Sequence, residues 1–461
     1  MSPATPTAPA VPAVTAVPAA PVGRRGGAPT TGAERHRRTL LFLGILALVL
    51  VYPLVDQALG WQTVRAVIPI MLFILLAMGL NIVVGYSGLL DLGYAAFFAV
   101  GAYTAAFLTS PSSPIKLAAG HPLRFLQDFW WAMLLAVLIA ALFGVLLGAP
   151  TLRLRGDYLA IVTLGFGEIV PRVVLNLEQW TGGSKGMNPI GRPHLLGCQF
   201  GIDPCLVLGQ PHRLGALPWY YLIVLVGLLS VFSITRLRDS RVGRAWAAIR
   251  DDEVAAVSMG INPVTTKLLA FSLGASFSGF AGAIFASYLQ FIDPGQFDFS
   301  ISVLVLCMVI LGGTGNIYGV MLGGLIIASF DRILAERLTG WLHALANTLG
   351  STGTFPLPPP LNGTFSLPGL LKSVDLMRLR LMVFGLSLVL LMVLRPQGLL
   401  SGRRTRSLSA EDEPPSGELT LGEPPARPAG SSPLSQPPAR GPSREAVDAE
   451  AEAVALRPGP A

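Results

Sequence analysis

Ionisable and amide side chains set in or beside long apolar runs are the groups here that could do chemistry. Asn81, Asp91, Glu168, Arg172 and Asn316 are the ones that qualify. A charge at membrane depth is costly and usually faces a cavity or a partner. Glu168 and Arg172 are four residues apart, on one helix face, where a Glu-to-Arg pair can form. That pair reads either as a structural tie or as part of a pathway. Asp91 follows Gly85-Tyr86-Ser87-Gly88-Leu89-Leu90. It reads either as a polar group at a sharp entry into the membrane or as the cap of a helix start. Neither arrangement is catalytic. No nucleophile–base arrangement stands out, no Cys and His group has metal-ligand spacing, and no G-x-x-x-x-G-K-[ST] loop could hold ATP. Thr181-Gly182-Gly183-Ser184-Lys185-Gly186 is loosely phosphate-like but joins no strand to a helix, so it reads as a turn. The spaced arginines of a voltage sensor are absent. A chain that is not an enzyme, with no metal or cofactor of its own, is expected.

The elements that must position these groups are apolar. The 461 residues are 52% hydrophobic and 13% charged, with mean hydropathy +0.60. A soluble domain carries about 25% charged residues, so most of this chain has no water to face. The net charge of +7 does not point to nucleic acid. Arg24, Arg25, Arg35, Arg37 and Arg38 precede the first apolar run, Arg236 to Arg250 fill one loop, and Arg403, Arg404 and Arg406 follow the last run. Basic clusters flanking apolar runs set orientation. The expected surroundings are lipid.

Runs near 40–59, 64–84, 86–109, 129–149, 157–177, 217–236, 267–290, 300–313, 316–334 and 377–395 are each apolar enough to be read as spans. The expected fold is all-α: a polytopic membrane helix bundle of about ten spans with broken or re-entrant helices. The eighth and ninth runs are short and parted by Gly312-Gly313-Thr314-Gly315-Asn316, a break tolerated only inside protein or along a cavity. Residues 1–39 read as a disordered cytoplasmic Pro/Ala-rich arm, 40–400 as the transmembrane domain and 401–461 as a disordered cytoplasmic tail. Both termini, Arg153 and Arg155, and the loop 237–266 fall inside; 178–216 and a Pro-rich insertion at 335–375 fall outside. Arg378 and Arg380 are the one discord with the positive-inside pattern. Cys198 and Cys205 share an outer loop, where they either pair or stay free; Cys307 lies in an apolar run.

Two further patterns bear on packing and partners. Gly274, Ser278 and Gly282, then Gly315, Gly319 and Gly323, recur at spacing four, the spacing of a face that lets helices approach closely. The inner loop reads as a helix or helix pair, stopped by Gly260 and Asn262-Pro263. Ala245, Ala248, Ile249, Val254 and Val257 give it an apolar stripe for a partner or for the lipid surface.

Gly85 to Tyr94 with Gly101-Ala102-Tyr103, the run Leu152 to Glu168, Thr181-Gly182-Gly183, Gly243-Arg244-Ala245-Trp246, the 312–316 break and Arg395-Pro396-Gln397-Gly398-Leu399 occur in order. Together they resemble the branched-chain amino acid ABC importer permeases, in particular the LivM-type subunit, over roughly residues 60–400. The resemblance implies a subunit that moves leucine, isoleucine or valine across the bacterial inner membrane. It also implies a LivH-type second permease, two ABC ATPase subunits that use ATP and magnesium, and an extracytoplasmic amino-acid-binding protein. It makes 237–266 the ATPase-coupling segment, through Arg244, Trp246, Ile249, Arg250, Asp251, Ala255, Ala256 and Gly260. In one respect the sequence departs from the general importer motif, Glu-Ala-Ala followed three residues later by Gly: Val254 stands where Glu is expected. Substrate would pass between the two permeases, and the candidates for lining its path are Asn81, Ser87, Asp91, Tyr94, Thr163, Glu168, Thr314 and Asn316. The alternatives are an importer permease for urea, amides or other amino acids, and an ion-coupled secondary transporter.

Overall fold

A computed structural model describes residues 32–400 except 61–62, 115–123, 152–156, 196–197, 202–204, 208–209, 213–214, 350–353, 357–363, 367–381 and scattered positions from 383 to 397. Arg153, Arg155, Arg378, Arg380, most of the expected span at 377–395 and the tail beyond residue 400 lie outside the described residues, as does the arm before residue 32. The helices are α1 (Gly32–Leu59), α2 (Val64–Asn81), α3 (Tyr94–Thr109), α4 (Phe129–Thr151), α5 (Asp157–Asn176), a single turn α6 (Glu178–Thr181), α7 (Leu217–Asp239), α8 (Arg241–Asp251), α9 (Glu253–Ser258), α10 (Pro263–Leu289), α11 (Phe299–Gly312), α12 (Ile317–Ser329) and α13 (Ala335–Leu349). Among the described residues, seven helices are long and apolar enough to cross a membrane, and the end of α1 and α3 are shorter apolar helices. The fold is an all-α membrane bundle, and the expected count of about ten spans is not reached among the described residues.

Three boundaries differ from expectation. The run 86–109 is not one helix: α2 ends in a π-helical turn, Ile82–Tyr86, and α3 begins only at Tyr94. The apolar Leu89 and Leu90 hide this break from hydropathy, but Gly88 sits at φ +72, outside helical space. The second difference is at α1, which starts at Gly32, before the residue-40 boundary. The third is at α12, which runs through a π-helical turn, Phe330–Leu334, into α13, so 335–349 is helix.

α10 is the central post, packed on α2, α3 and α4. Small residues make this possible. A Cβ added at Gly279 would overlap the Ala140 methyl, one at Gly101 would overlap Gly279, one at Gly282 would overlap Phe98 of α3, and one at Gly274 would press on Val83. α4 is inside out relative to a soluble helix. Ala132, Ala136, Ala140, Gly144 and Gly148 are buried, while Leu134, Leu138, Leu142 and Leu146 are exposed. Lipid tails are as apolar as leucine, so close packing of small residues, rather than burial of large ones, holds such helices together. α11 and α12 form a second tight pair, with Gly312 against Gly319 and Gly323 against Met308.

The two ends of the bundle sort the connecting segments as strict alternation requires. At one end Gly85, Arg250, Thr314 and Gly315 meet, and Leu399 Nα donates to Leu311 O (2.9 Å). At the other, Gly191 Nα donates to Thr109 Oγ1 (3.1 Å), Met187 bridges Ile292, and Trp130 Nε1 donates to the His194 carbonyl (3.2 Å). This second end carries two short hairpins, β1 (His194–Leu195) with β2 (Cys198–Gln199) and β3 (Cys205–Val207) with β4 (Gln210–His212). Cys198 is disulfide-bonded, which removes the free-thiol alternative there, and Cys307 is free and buried.

Candidate functional site

The α8–α9 hairpin is built by its caps. Ser240 Oγ accepts from Gly243 Nα (3.3 Å), Asp252 Oδ1 accepts from Val254 (2.8 Å) and Ala255 Nα (3.0 Å), and Asn262 Oδ1 starts α10 by accepting from Val264 Nα (3.0 Å). Each side-chain oxygen satisfies helix-end N–H groups that would otherwise lack partners. Gly243, Trp246 and Ile249, at spacing three, turn inward and are buried. Trp246 is fully enclosed, and its indole donates to the Thr266 carbonyl (2.7 Å). Ala256 is buried as well. Within the coupling set, therefore, Trp246, Ile249 and Ala256 seat the hairpin on its own bundle and do not face outward. Ile249 likewise drops out of the expected partner stripe. What the hairpin presents is Arg241, Arg244, Asp251, Val254, Ala255, Val257, Met259 and Gly260, with Met259 83% and Val254 76% exposed. Glu253, one residue before the place where the general motif has Glu, is tied inward to Lys267 (2.7 Å).

Arg250 joins this hairpin to both broken-helix regions. Its Nη1 donates to the Gly85 carbonyl in the π-helical turn, and its Nη2 reaches Thr314 Oγ1 (3.4 Å) in the α11–α12 break. Its aliphatic stem lies against Gly88, where any added side chain would meet it. The same two regions are tied directly: Gly315 Nα donates to Asn81 Oδ1 (2.9 Å). Asn316 caps α12 by accepting from Gly319 Nα (3.4 Å) and donates to the Leu400 carbonyl (3.0 Å). Gly398, at φ +79, packs on Gly313 so closely that a Cβ there would overlap it. Four segments remote in sequence thus meet around 313–316. Of the path candidates, Asn81, Thr314 and Asn316 belong to this cluster.

Ser87, Asp91, Tyr94 and Thr163 form a neighbouring group, and all but one of their side-chain polar atoms are used within the fold. Ser87 Oγ donates to Val83 O (2.7 Å), and Tyr94 Oη to Gly274 O (2.9 Å). Thr163 Oγ1 accepts from Leu92 Nα (3.1 Å) and donates to Ala160 O (3.1 Å). Asp91 accepts from Gly93 Nα (2.9 Å) in a turn just ahead of α3 and does not cap the helix itself, and its second oxygen is buried with no partner among the described residues. Sequence reasoning missed two features. Ser302 Oγ accepts from Ala95 Nα (2.9 Å) at the α3 start. Asp56 of α1, buried to 3% exposure, accepts from Thr63 Nα (3.0 Å) and Val64 Nα (3.3 Å); this carboxylate at the α2 N-terminus is the favourable end of the helix dipole. Nothing local marks the Ser302 contact, but Asp56, a carboxylate late in an apolar run, was visible.

Glu168 stands apart. It pairs with Arg172 (3.7 Å) as its spacing predicts, but both side chains are open, 46% and 76% exposed. The same helix exposes Tyr158, Ile161, Ile169 and Val173. Glu168 lies near the middle of α5, the twelfth of its 20 residues, so this face sets an ion pair at mid-depth on an otherwise apolar surface. Hydrocarbon is a poor neighbour for it.

Comparison with known proteins follows the same lines. Residues 62–349 match the family described as the permease component of the branched-chain amino acid transport system. The high-affinity branched-chain amino acid transport system permease protein LivM of Escherichia coli K12 is 37% identical over 350 residues, covering 72% of this chain and 78% of that one. The probable LivM of Methanocaldococcus jannaschii is 24% identical over 277 residues, covering 55% of this chain and 75% of its own. The LivH permease of Escherichia coli K12 is 23% identical over 277 residues, covering 58% and 83%. No solved structure matches.

Proposed function

Because the chain belongs to the family of branched-chain amino acid transport permeases, we propose that it is the LivM-type half of a permease pair that carries leucine, isoleucine or valine inward under ATP power supplied by other chains. The exposed Glu168–Arg172 pair supports the second permease. A charged pair at mid-depth is tolerable where protein or a water-lined path covers it, so the α5 face is the surface to which a LivH-type subunit is assigned, with the substrate path along that seam. The α8–α9 hairpin is assigned to the ATPases. Its outward Val254, Val257 and Met259 suit a groove on a soluble partner, and the arginine clusters support a cytoplasmic position for it and for both termini. The extracytoplasmic binding protein is assigned to the end that carries the β1–β4 hairpins.

The observation that carries this reading is the Arg250 tie. A hairpin moved from outside transmits force only if it is fixed to what must move, and Arg250 fixes it to the α2 π-turn and the α11–α12 break. Closure of an ATPase pair would then shift both broken-helix regions as the two permeases rock between inward and outward openings. The test is removal of 244–257: the chain should still insert, and ATPase subunits should no longer co-purify with it. Retention of the ATPases on that deletion would refute the assignment.

A further inference from the structure

At the end of the bundle opposite Arg250, a cleft of about 270 Å³ opens between α2, the end of α10, the start of α11 and the π-turn after α12. Its volume lies just under the roughly 300–1,000 Å³ typical of drug-sized ligands, which suits something the size of an amino acid. Phe73, Phe285 and Leu304 line it and are buried, while Asp298 and Ser300, bonded to each other (3.0 Å), line it at the start of α11. The π-turn after α12 adds both signs of charge. Asp331, its side chain 4% exposed, and Arg332, 40% exposed, sit side by side with Nε and Oδ2 3.3 Å apart, and the Arg332 guanidinium lies 5.1 Å from the centre of the Phe73 ring. The α12–α13 rod is π-helical here, Phe330–Leu334, and such bulges are frequent at functional sites. Gln296 also lines the cleft, and its Oε1 is buried with no hydrogen-bond partner among the described residues. A buried acceptor left without a donor calls for explanation.

We propose that this cleft binds a free amino acid as its zwitterion, with the aliphatic side chain on Phe73, Phe285 and Leu304. The ammonium donates to the Asp331 carboxylate and to Gln296 Oε1, and the carboxylate accepts from the Arg332 guanidinium, whose fork of donors matches a carboxylate. Phe73 and Asn81 are eight residues apart on α2, on the order of 12 Å along the axis, so the cleft is a separate station from the cluster around Arg250. This deepens the proposed function and rests on its orientation, which puts the cleft on the side where substrate is delivered. A zwitterionic lipid headgroup shares the pairing of ammonium and anion, and the test separates the two.

The full-length chain in phosphatidylglycerol nanodiscs should bind radiolabelled leucine. Leucinamide, which lacks the carboxylate, and 4-methylpentanoate, which lacks the ammonium, should each compete at least tenfold less well. Arg332→Gln should bring leucine down to the level of leucinamide while leaving leucinamide unchanged. Gln296→Leu, at a half-buried position where folding is less at risk than at Asp331, should weaken leucine and spare 4-methylpentanoate. Leucine affinity within twofold of wild type in both variants, with the protein monodisperse, would overturn the site. So would a cleft that binds no leucine in phosphatidylglycerol or in phosphatidylethanolamine discs, the behaviour of a lipid site. ATP-driven leucine uptake by the assembled transporter, measured in parallel, tests the transport reading itself: uptake without binding here sinks only the cleft, and no uptake at all sinks the parent reading.

Discussion

Arg250 is the residue on which the mechanical account turns. Replacing it by Ala removes the donors to Gly85 and Thr314 and leaves the hairpin seated by Trp246. ATP-driven uptake should therefore fall at least tenfold, about 1.4 kcal/mol of lost coupling, while ATPase co-purification is retained. Uptake within twofold of wild type would mean that the tie transmits nothing. Trp246→Ala should act differently. Emptying a fully buried Trp site costs about 3–5 kcal/mol, so the hairpin should loosen and limited proteolysis should cut within 241–258. At this scale much of the site was legible. The i,i+4 pairing of Glu168 with Arg172 follows from spacing, whereas the cap alternative for Asp91 is not met, since its bond to Gly93 is a turn contact ahead of α3. The Arg250 contacts were not legible, because they join positions 165 and 64 residues apart and no local pattern encodes such a meeting.

Glycine placement governs the elements. Gly101 and Gly279 face each other where α3 crosses α10, whereas Gly227 on α7 has nothing within 4 Å of an added Cβ. Gly279→Leu should abolish the monodisperse folded peak in detergent, and Gly227→Leu should leave it intact; equal behaviour of the two would undo the account of packing by small residues. The spacing-four pattern on α10 and α12 was readable, and the same pattern on α4 was equally present but masked by the leucines on its other face. Helix starts were less readable. Hydropathy joins Tyr86 to Thr109 because the intervening Leu89, Leu90 and Leu92 are apolar, yet the backbone leaves the helix at Ser87 and its polar groups are met by Val83, Thr163 and Asp91.

The whole molecule is a chain with two distinct ends. The proposed topology puts Ser258 in the cytoplasm and Ser184 outside, both on exposed positions. In intact cells a membrane-impermeant maleimide should label Ser184→Cys and leave Ser258→Cys unlabelled until the membrane is opened; the reverse pattern would invert the topology. Sequence alone carried the membrane class, the family and the helix pair within 237–266, since each rests on composition or on contiguous motifs. It did not carry the convergence of residues 85, 250, 314 and 398 on one knot, which is a property of the packed bundle.

The central claim is that this chain conducts branched-chain amino acids and has no engine of its own. The direct measurement is leucine uptake into proteoliposomes holding this chain together with a LivH-type permease, both ATPases and a binding protein. Uptake should require ATP hydrolysis and every partner, and it should stop when 244–257 is deleted. Leucine uptake by this chain alone, driven by an ion gradient and indifferent to ATP, would contradict it.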